Sequence, residues 1–342
     1  MVDTVHNEHP GLLHAWHPVA RSDEVTGHPT RVLLLGQPWV LVRLPELTAL
    51  ADRCPHRAAP LSAGTVVGGS LQCPYHGWAF GSTGRCTAIP ALGDGPIPPR
   101  SGVTAAAAVA ERFGLVWIAP LPPVAPLPEV PEWNDPAFTV IPLGPFRSPG
   151  GVAPITDNFL DLGHFPFLHA GTFGAPDDGV IPEYRTERDG WTVRFSYEAP
   201  WQHPDGSIEH SVQHYEVTAP FALWLRMEIG TSEIGTAGRV KTILFFCQPE
   251  TGTSSRLYKI LVYNDVPTQD AIDESAAFET AVVKEDLAMI ELLPDDRLPL
   301  RPDAERHTRA DRSGLAWRQV LAELLQAGPQ HTGSLTDAAV PA

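Results

Sequence analysis

In the first third of the chain, apolar positions come in short runs that Gly and Pro residues separate, as at 30–35, 40–44 and 115–118. Runs of this length between turn residues are typical of short antiparallel strands. The pattern therefore predicts a small all-β domain at the N-terminal end.

Beyond residue 136 the apolar runs become longer, and the pattern predicts an antiparallel meander. Two later segments have helical periodicity, namely 268–293, which ends before Pro294, and 315–327. A sheet with a long C-terminal helix packed on it makes the second part of the chain an α+β domain. The predicted strands of the meander are 191–197, 211–218, 221–229, 240–246 and 256–263.

The composition changes most sharply at 120–136, where seven of seventeen residues are proline. Such a segment is a semi-rigid extended connector. The sequence thus predicts an N-terminal domain at 1–119, a connector at 120–136 and a second domain at 137–342.

Charge and composition exclude several classes of protein. The 342 residues carry 24 Lys plus Arg against 40 Asp plus Glu, a net charge of −16, which argues against nucleic-acid binding. No apolar run approaches the roughly 18 residues of a membrane span, and the N-terminus has no signal-peptide pattern. Four cysteines are too few for a disulfide framework. We therefore expect a cytoplasmic protein with no membrane or nucleic-acid partner.

Two short motifs in the N-terminal domain combine cysteine and histidine. Cys54 and His56 form one pair, Cys73 and His76 form the other, and each pair supplies one thiolate and one imidazole. Structural zinc is the alternative, but zinc modules usually place like ligands together. The mixed pairs suit a two-iron cluster in which two thiolates bind one iron and two imidazoles bind the other, a Rieske [2Fe–2S] centre.

A second group of potential ligands lies in the segment DNFLDLGHFPFLH at 157–169. Asp161, His164 and His169 can converge on one metal if the helix carrying the first two ends near Pro166. Either histidine alone would more often be a hydrogen-bonded core residue. Two histidines with a flanking acid, in a chain that already has a redox cluster, favour a non-haem Fe(II) site.

The remaining ligand should be an acid that a helix directs into the core. On the predicted helix at 268–293, Asp286 is the single acid in an otherwise apolar i, i+4 row, and coordination would offset the cost of burying it. Glu285 is the rival. Glu279 and Glu291 are interpreted as charges on the solvated face of the helix. The row consists of Phe278, Val282, Asp286 and Ile290.

The motifs CPHR and CPYHGW, then DNFLDLGHFPFLH, then KEDLAMI, together resemble the Rieske non-haem iron oxygenases over nearly the whole chain. The resemblance is to their terminal monooxygenases, of the vanillate O-demethylase and dicamba demethylase type and the Rieske hydroxylases of saxitoxin biosynthesis. It implies a catalytic domain of helix-grip type, in which an antiparallel sheet wraps on a long helix. It also implies a head-to-tail homotrimer.

In that family the electron crosses between subunits through an acid that lies between the two metal sites. Asp161 matches this position, so the resemblance assigns it the bridge role rather than ligation, and it places Asn158 near the iron without binding it. His164, His169 and Asp286 then hold the mononuclear iron. His76 would meet Asp161 of a neighbouring subunit.

The implied activity is oxygenation of a small organic substrate with O2, by hydroxylation or by oxidative demethylation. Electrons would come from NAD(P)H through a separate ferredoxin or a flavin or iron–sulfur reductase. A dihydroxylating dioxygenase and a non-catalytic Rieske electron-transfer protein are the alternatives. The sequence identifies neither the substrate nor its pocket, although several aromatic and histidine side chains could line a cavity: Trp201, His203, His210, His214, Tyr215 and Trp224.

The net charge is divided unevenly between the two parts of the chain. Residues 1–120 hold eight Arg and eight acids, so the remainder of the chain carries the whole of the −16. Arg53, Arg57 and Arg85 lie close in sequence to the predicted cluster ligands. They are either ordinary surface residues or a docking patch for an acidic electron donor.

Overall fold

The computed structural model describes residues 2–173, 179–202, 208–230, 238–266 and 268–328. The chain divides into two compact units. One is built from Glu8–Val124, and the other from Ala125–Gln326 together with the N-terminal segment that ends at Asn7. In the described residues, no helix is both long and apolar enough to cross a membrane.

Small antiparallel sheets form the unit of Glu8–Val124. The strands of the chain up to residue 119 are β1 (Thr4–Val5), β2 (His17–Arg21), β3 (Thr30–Leu34), β4 (Gln37–Arg43), β5 (Leu47–Ala51), β6 (Thr65–Val67), β7 (Ser70–Gln72), β8 (Ala79–Phe80), β9 (Cys86–Ala88), β10 (Ala108–Arg112) and β11 (Leu115–Ala119). The sheets of this unit have the strand orders β3-β4-β5, β6-β7-β8-β9 and β10-β11-β2. Leu35 and Gly36, with φ of 51° and 74°, form the tight turn between β3 and β4, as in hairpins that need two positive φ angles.

A seven-stranded antiparallel sheet forms the centre of the other unit. The elements of this unit after residue 125 are β12 (Thr139–Ser148), α1 (Val152–Leu160), α2 (Phe165–Leu168), β13 (Thr186–Asp189), β14 (Thr192–Gln202), β15 (Ile208–Thr218), β16 (Ala222–Ile229), β17 (Arg239–Thr251), β18 (Ser254–Tyr263), α3 (Gln269–Ile290), β19 (Leu298–Pro299) and α4 (Arg312–Ala327). The strand order of the sheet is β12-β18-β17-β16-β15-β14-β13. The five predicted strands of the meander correspond to β14 through β18. Strand β1 belongs to this unit, because it pairs with β19.

The expectation of an α+β fold with an all-β N-terminal part is confirmed. Helix α3 begins after Thr268, whose hydroxyl accepts a hydrogen bond from the Ala271 amide at 3.2 Å. This capping matches the predicted start of the helix. The last helix begins three residues earlier than predicted, at Arg312.

Helix α3 packs against the seven-stranded sheet, on the face where Lys259 and Tyr263 of β18 point. Glu279 is buried there, and its carboxylate lies 2.6 Å from the ammonium of Lys259 and 3.3 Å from the Tyr263 hydroxyl. Interpreting Glu279 as a solvated charge was wrong, because strand β18 supplies a buried cation for it. Glu291 is exposed, as expected.

Ion pairs fix two further segments in the unit of Ala125–Gln326. Arg318 of α4 forms two bonds of 2.7 and 3.0 Å to the carboxylate of Asp157 on α1. The proline-rich segment ends in a short 3-10 turn whose Glu132 lies 2.5 Å from Arg226 of β16. Both the helix that precedes the histidine motif and the end of the connector are therefore held in place by paired charges.

Candidate metal centres

Two loops with the same backbone pattern carry the cysteine and histidine pairs. In each loop the cysteine amide donates to the carbonyl five residues later, Ala59 or Trp78, and the cysteine carbonyl accepts from the amide four residues later. That fourth residue has positive φ in both loops, Ala58 at 56° and Gly77 at 72°. The two loops thus have the same backbone conformation. This is the arrangement expected around a cluster that takes one thiolate and one imidazole from each loop.

In both loops the cysteine side chain is buried and the histidine side chain is exposed. Cys54 and Cys73 are 2 % and 3 % exposed and belong to the apolar core of this unit, whereas His56 and His76 are exposed. The two imidazole rings lie 4.5 Å apart, and the Trp78 ring stacks on His56 at 4.9 Å. Buried thiols beneath exposed imidazoles fit a Rieske cluster with its histidine-bound iron toward the surface.

Two buried groups at the first loop are the carboxylate of Asp52 and the thiol of Cys54. Asp52 is buried and accepts hydrogen bonds of 2.7 Å from both the amide and the hydroxyl of Ser62, which fixes the chain just before Cys54. Burial raises the pKa of the Cys54 thiol to about 11. Binding of a metal cluster at this thiol would therefore release a proton.

The second group of ligands lies where α1 gives way to α2. Helix α1 ends at Leu160, and Asp161 is its extended C-cap, with its Oδ1 accepting from the Gly163 amide at 2.7 Å. The expectation that one helix carries Asp161 and His164 and ends near Pro166 was wrong. Pro166 instead lies in the first turn of α2, where a missing amide hydrogen has no cost, and the break falls at Asp161.

Three side-chain atoms converge at this break. The Nε2 atoms of His164 and His169 lie 3.2 Å apart, and Oδ1 of Asp286 on α3 lies 3.1 Å from the second and 3.5 Å from the first. Ligand atoms bonded to one ion at about 2.1 Å and at angles near 90–110° are roughly 3.0–3.4 Å apart. The triangle therefore fits a single metal ion, and two imidazoles with one carboxylate are the donor set of non-haem Fe(II).

The rival acid Glu285 contacts the same histidine from the opposite side. Its Oε2 lies 2.7 Å from Nδ1 of His169 and accepts from the Thr172 hydroxyl at 3.0 Å. Since a carboxylate only accepts, Nδ1 of His169 carries the hydrogen and Nε2 keeps its lone pair for a metal. Glu285 thus orients an imidazole, and Asp286 is the acid that joins the triangle.

The other histidine is held less tightly. Nδ1 of His164 lies 3.4 Å from Oδ2 of Asp161. Burial lowers the pKa of His164, but the carboxylates of Asp161 and Asp286 outweigh it and raise the pKa to about 9. In the metal-free chain this imidazole therefore binds a proton that a metal ion would displace. Burial acts to raise the pKa of Asp286, and the two imidazoles lower it overall.

Aromatic rings surround one side of the triad. The Phe173 ring stacks on His169 at 4.7 Å, and Phe165 lies 4.7 Å from His164 and 5.3 Å from Phe173. Phe278 on α3 continues the group at 6.3 Å from Phe173. The Phe173 ring thus covers His169, which is 1 % exposed, while Phe173 and Phe278 are themselves exposed.

Other residues singled out from the sequence have varied positions. Asn158 is half-buried on the last turn of α1, and its carbonyl accepts from the Asp161 amide at 3.1 Å. Tyr215 is buried on the sheet face toward α1, with its ring 6.0 Å from Phe159. His210, His214 and Trp224 alternate onto the other face of the sheet, where Glu198, Ser196 and Glu216 contact them. His203 and the side chain of Trp201 lie outside the described residues.

Residues 15–105 match the Rieske [2Fe-2S] domain family, and residues 152–327 match the vanillate O-demethylase oxygenase C-terminal domain family. The methylxanthine N1-demethylase NdmA of Pseudomonas putida is 31% identical over 341 residues, which cover 94% of this chain and 92% of that protein. The oxygenase component of dicamba O-demethylase from Stenotrophomonas maltophilia is 37% identical over 171 residues, 46% of this chain and 48% of that protein.

Solved structures agree with the sequence matches. The structure of Pseudomonas putida NdmA with caffeine has a TM-score of 0.79 and 29% sequence identity, covering 94% of this chain and 93% of that one. Dicamba monooxygenase with bound dicamba has the same fold, with a TM-score of 0.78 at 24% identity over 92% of this chain and 98% of that one. The chain belongs to the Rieske non-haem iron oxygenases, with a catalytic domain of the vanillate O-demethylase oxygenase type.

Proposed function

We propose that Cys54, His56, Cys73 and His76 bind the Rieske cluster of this oxygenase. The matched hydrogen-bond patterns of the two loops support this set, as do the buried thiols beneath exposed imidazoles. The family carries a Rieske [2Fe–2S] cluster and Fe(II), uses O2, and receives electrons from NAD(P)H through a separate reductase or ferredoxin. The match to an oxygenase domain and to demethylases disfavours both alternatives, a dihydroxylating dioxygenase and a non-catalytic electron-transfer protein.

We propose His164, His169 and Asp286 as the ligands of the mononuclear Fe(II). The single observation that carries this assignment is the triangle of 3.1, 3.2 and 3.5 Å that their ligand atoms form. When bound there, Fe(II) would supply the activation of O2, in which one oxygen atom enters a substrate C–H bond and the other leaves as water with two protons and two electrons from the reductase. Glu285 holds the hydrogen at Nδ1 of His169, and the ring of Phe173 stacks on that imidazole.

The role proposed for Asp161 is to connect the two redox centres of neighbouring subunits. Its position between α1 and His164, with Oδ2 3.4 Å from Nδ1 of that ligand, supports it. A homotrimer, in which His76 of one subunit meets Asp161 of the next, provides the path for the electron. Asn158, one turn earlier on α1, is proposed to lie near the iron without binding it.

The reaction proposed is oxidative demethylation of a small N-methyl or O-methyl compound. Relatives named as a methylxanthine N1-demethylase and as a dicamba O-demethylase oxygenase component support this class. Oxygenation of the methyl carbon gives an unstable product that releases formaldehyde. Hydroxylation without loss of carbon begins with the same attack on a C–H bond and is the second candidate.

Two further proposals concern the domain limits and the cellular location of the protein. The domain limits 1–119, 120–136 and 137–342 are supported by the division after Val124, although the strand Thr4–Val5 belongs with the catalytic unit. A cytoplasmic location is supported by the need for NAD(P)H as the source of electrons.

Iron analysis and product detection test the proposal together. The purified protein should hold about three iron atoms per chain, with the absorbance of a Rieske cluster. With a reductase, NAD(P)H and O2, a panel of N-methyl and O-methyl aromatics should yield formaldehyde in proportion to the oxygen that is coupled to turnover. Two irons per chain and no oxygen consumption would contradict the proposed function.

A further inference from the structure

The first turn of α4 contacts the last turn of α1, directly before Asp161. The Ser313 hydroxyl of α4 donates to the carbonyl of Leu160 at 2.8 Å, and Leu160 is the last residue of α1. The last carbonyls of a helix have no partner within the helix, so this bond satisfies one of them. Ser313 and Leu160 are each 1 % exposed, so water competes little for the bond. Helix α4 therefore holds the chain at the residue that precedes Asp161.

The Ser313 side chain is itself held by Tyr184. The Tyr184 hydroxyl lies 2.9 Å from Oγ of Ser313 and 2.7 Å from the carbonyl of Ala310. The Ser313 amide donates to the same phenol oxygen at 3.3 Å. Because Tyr184 is buried and engaged on several sides, it fixes the start of α4 and directs the Ser313 hydroxyl toward α1.

Arg318 of α4 binds the same turn of α1 three residues earlier. Its Nε and Nη2 donate to the two carboxylate oxygens of Asp157 at 3.0 and 2.7 Å. A pair with two parallel bonds fixes direction as well as distance. The remaining nitrogen, Nη1, donates to the Pro299 carbonyl at 3.1 Å and to the Glu305 carboxylate at 2.5 Å, so the guanidinium is held from three sides. The segment 157–160 is thus bound to α4 at both of its ends.

The two helices approach so closely at this contact that a side chain on Gly314 would not fit. A Cβ atom built on Gly314 would lie 2.9 Å from Oδ1 of Asp157 and 3.7 Å from its Cγ. The carboxylate cannot move aside freely, because Arg318 holds both of its oxygens. Glycine at this position therefore allows α4 to contact Asp157.

Asp161 connects this contact with the proposed iron ligands. Its amide donates to the Asn158 carbonyl at 3.1 Å, within the turn that α4 holds. Its Oδ1 accepts from the Gly163 amide at 2.7 Å, and its Oδ2 lies 3.4 Å from Nδ1 of His164. Burial raises the pKa of Asp157, and the charge of Asp161 adds to this effect, which agrees with the closeness of the two carboxylates. A shift of the last turn of α1 would therefore move Asp161 relative to His164.

We propose that Arg318 and Ser313 are positioning residues of this oxygenase, which hold the end of α1 so that the carboxylate of Asp161 meets His164. The inference rests on the electron bridge proposed at Asp161 and names the residues that set its position. Both residues act through α1, whose last turn they bind. Displacement of a reacting group by about 1 Å can slow a reaction by roughly 100-fold, so a small movement of α1 is enough for a large effect.

Hydrogen exchange measures the position of Asp161 without turnover. The protein keeps its cluster, and a chelator removes the mononuclear iron. The Asp161 and Gly163 amides are both hydrogen-bonded, so their exchange reports on this turn. Arg318→Met should speed their exchange about 10-fold, because α1 loses a charged partner. Arg318→Lys keeps the cation and should recover part of the protection, and Ser313→Ala should have a smaller effect than Arg318→Met.

Electron transfer is measured as single-turnover oxidation of the cluster by O2 in chains that hold three irons. Arg318→Met should slow it by about 10–100-fold. Gly314→Ala should slow it as well, because the added methyl group displaces Asp157. Since Ala favours a helix more than Gly does, this variant separates the position of Asp157 from the stability of α4.

Leu324→Ala is the matched control, in a fully buried residue of the same helix. It should lower the melting temperature and leave the amide exchange and the rate of cluster oxidation unchanged. Unaltered exchange and rate in Arg318→Met would overturn the positioning role, and so would equal changes in Leu324→Ala. Asp161→Asn distinguishes the two proposals. If it slows the oxidation and Arg318→Met does not, only the positioning role fails, whereas the bridge role fails as well if neither does.

Discussion

Nδ1 of His169 lies 2.7 Å from Oε2 of Glu285, and the next residue of the same helix, Asp286, faces the Nε2 atom of the same ring at 3.1 Å. Helix α3 thus contacts both nitrogens of one imidazole with two consecutive acids. His169 is 1 % exposed, so water competes little for either contact. The Glu285 carboxylate fixes the orientation and the tautomer of the ring, and such partners raise the basicity of a metal-binding nitrogen.

Replacing Glu285 with Ala should weaken Fe(II) binding at the mononuclear site by about 10–100-fold, because His169 loses its orienting acceptor. Glu285→Gln keeps an acceptor oxygen without the charge and should lose less. Titration of the cluster-containing protein with Fe(II) against a competing chelator measures the affinity. Glu291→Ala, in an exposed residue just beyond the same helix, is the control. Unchanged iron affinity in Glu285→Ala would refute the orienting role.

Asp286→Ala should empty the mononuclear site and leave the cluster intact, because the two imidazoles then lack their carboxylate partner. The iron content is expected to fall from about three to about two atoms per chain, with unchanged Rieske absorbance. Asp295→Ala, an exposed acid that follows α3, should keep all three irons. A variant at Asp286 that retains three irons and full turnover would show that another residue binds the iron.

Asp161→Asn should retain both metal sites and lose turnover. The amide can still accept from the Gly163 amide through Oδ1, so the local turn is preserved, but the negative charge beside His164 is gone. Single-turnover measurement of cluster oxidation by O2 tests this expectation, with iron content and absorbance as the check on the metals. The bridge role fails if the cluster is oxidised at the unaltered rate.

Arg57 lies beside His56, a proposed cluster ligand, and is exposed, as are Arg53 and Arg85. If these cations attract an acidic ferredoxin-type donor, Arg57→Glu should lower the association rate of that donor severalfold at low salt, and added salt should reduce the difference. Stopped-flow reduction of the cluster measures the rate. Arg185→Glu, in an exposed residue of the catalytic unit, provides the comparison of equal charge change. Equal rates in both variants would leave Arg57 as an ordinary surface residue.

Local patterns were the most informative part of the sequence. The pairs around Cys54 and Cys73 are close in sequence, so a single turn geometry decides where each thiol and imidazole points. The five strands of the meander are long β-like runs spaced along the chain, and they were predicted for the same reason. Strand β12 was missed because Pro142, Gly144 and Pro145 interrupt it, and it is tolerated as an edge strand with a shift of register between Leu143 and Phe146.

Contacts between distant elements could not be read from the sequence. Consecutive acids on one helix differ by about 100° in direction, so periodicity alone left both Glu285 and Asp286 as possible ligands. Their distances to the two nitrogens of His169 support Asp286 as the proposed ligand and Glu285 as its orienting partner. Glu279 was misjudged for a related reason, since its partner Lys259 belongs to a strand that precedes the helix, and a pattern within the helix does not reveal it.

The buried pair Lys259 and Glu279 fixes α3 on the sheet, and removing one partner should be more damaging than removing both. Glu279→Leu leaves a buried ammonium unpaired and should lower the unfolding free energy of the catalytic unit by about 3–5 kcal/mol. The double variant Lys259→Met with Glu279→Leu removes both charges and should recover most of that loss. Urea unfolding of the single and double variants, followed by the fluorescence of the catalytic unit, measures the difference. A double variant as unstable as the single one would mean that packing, and not the unpaired charge, causes the loss.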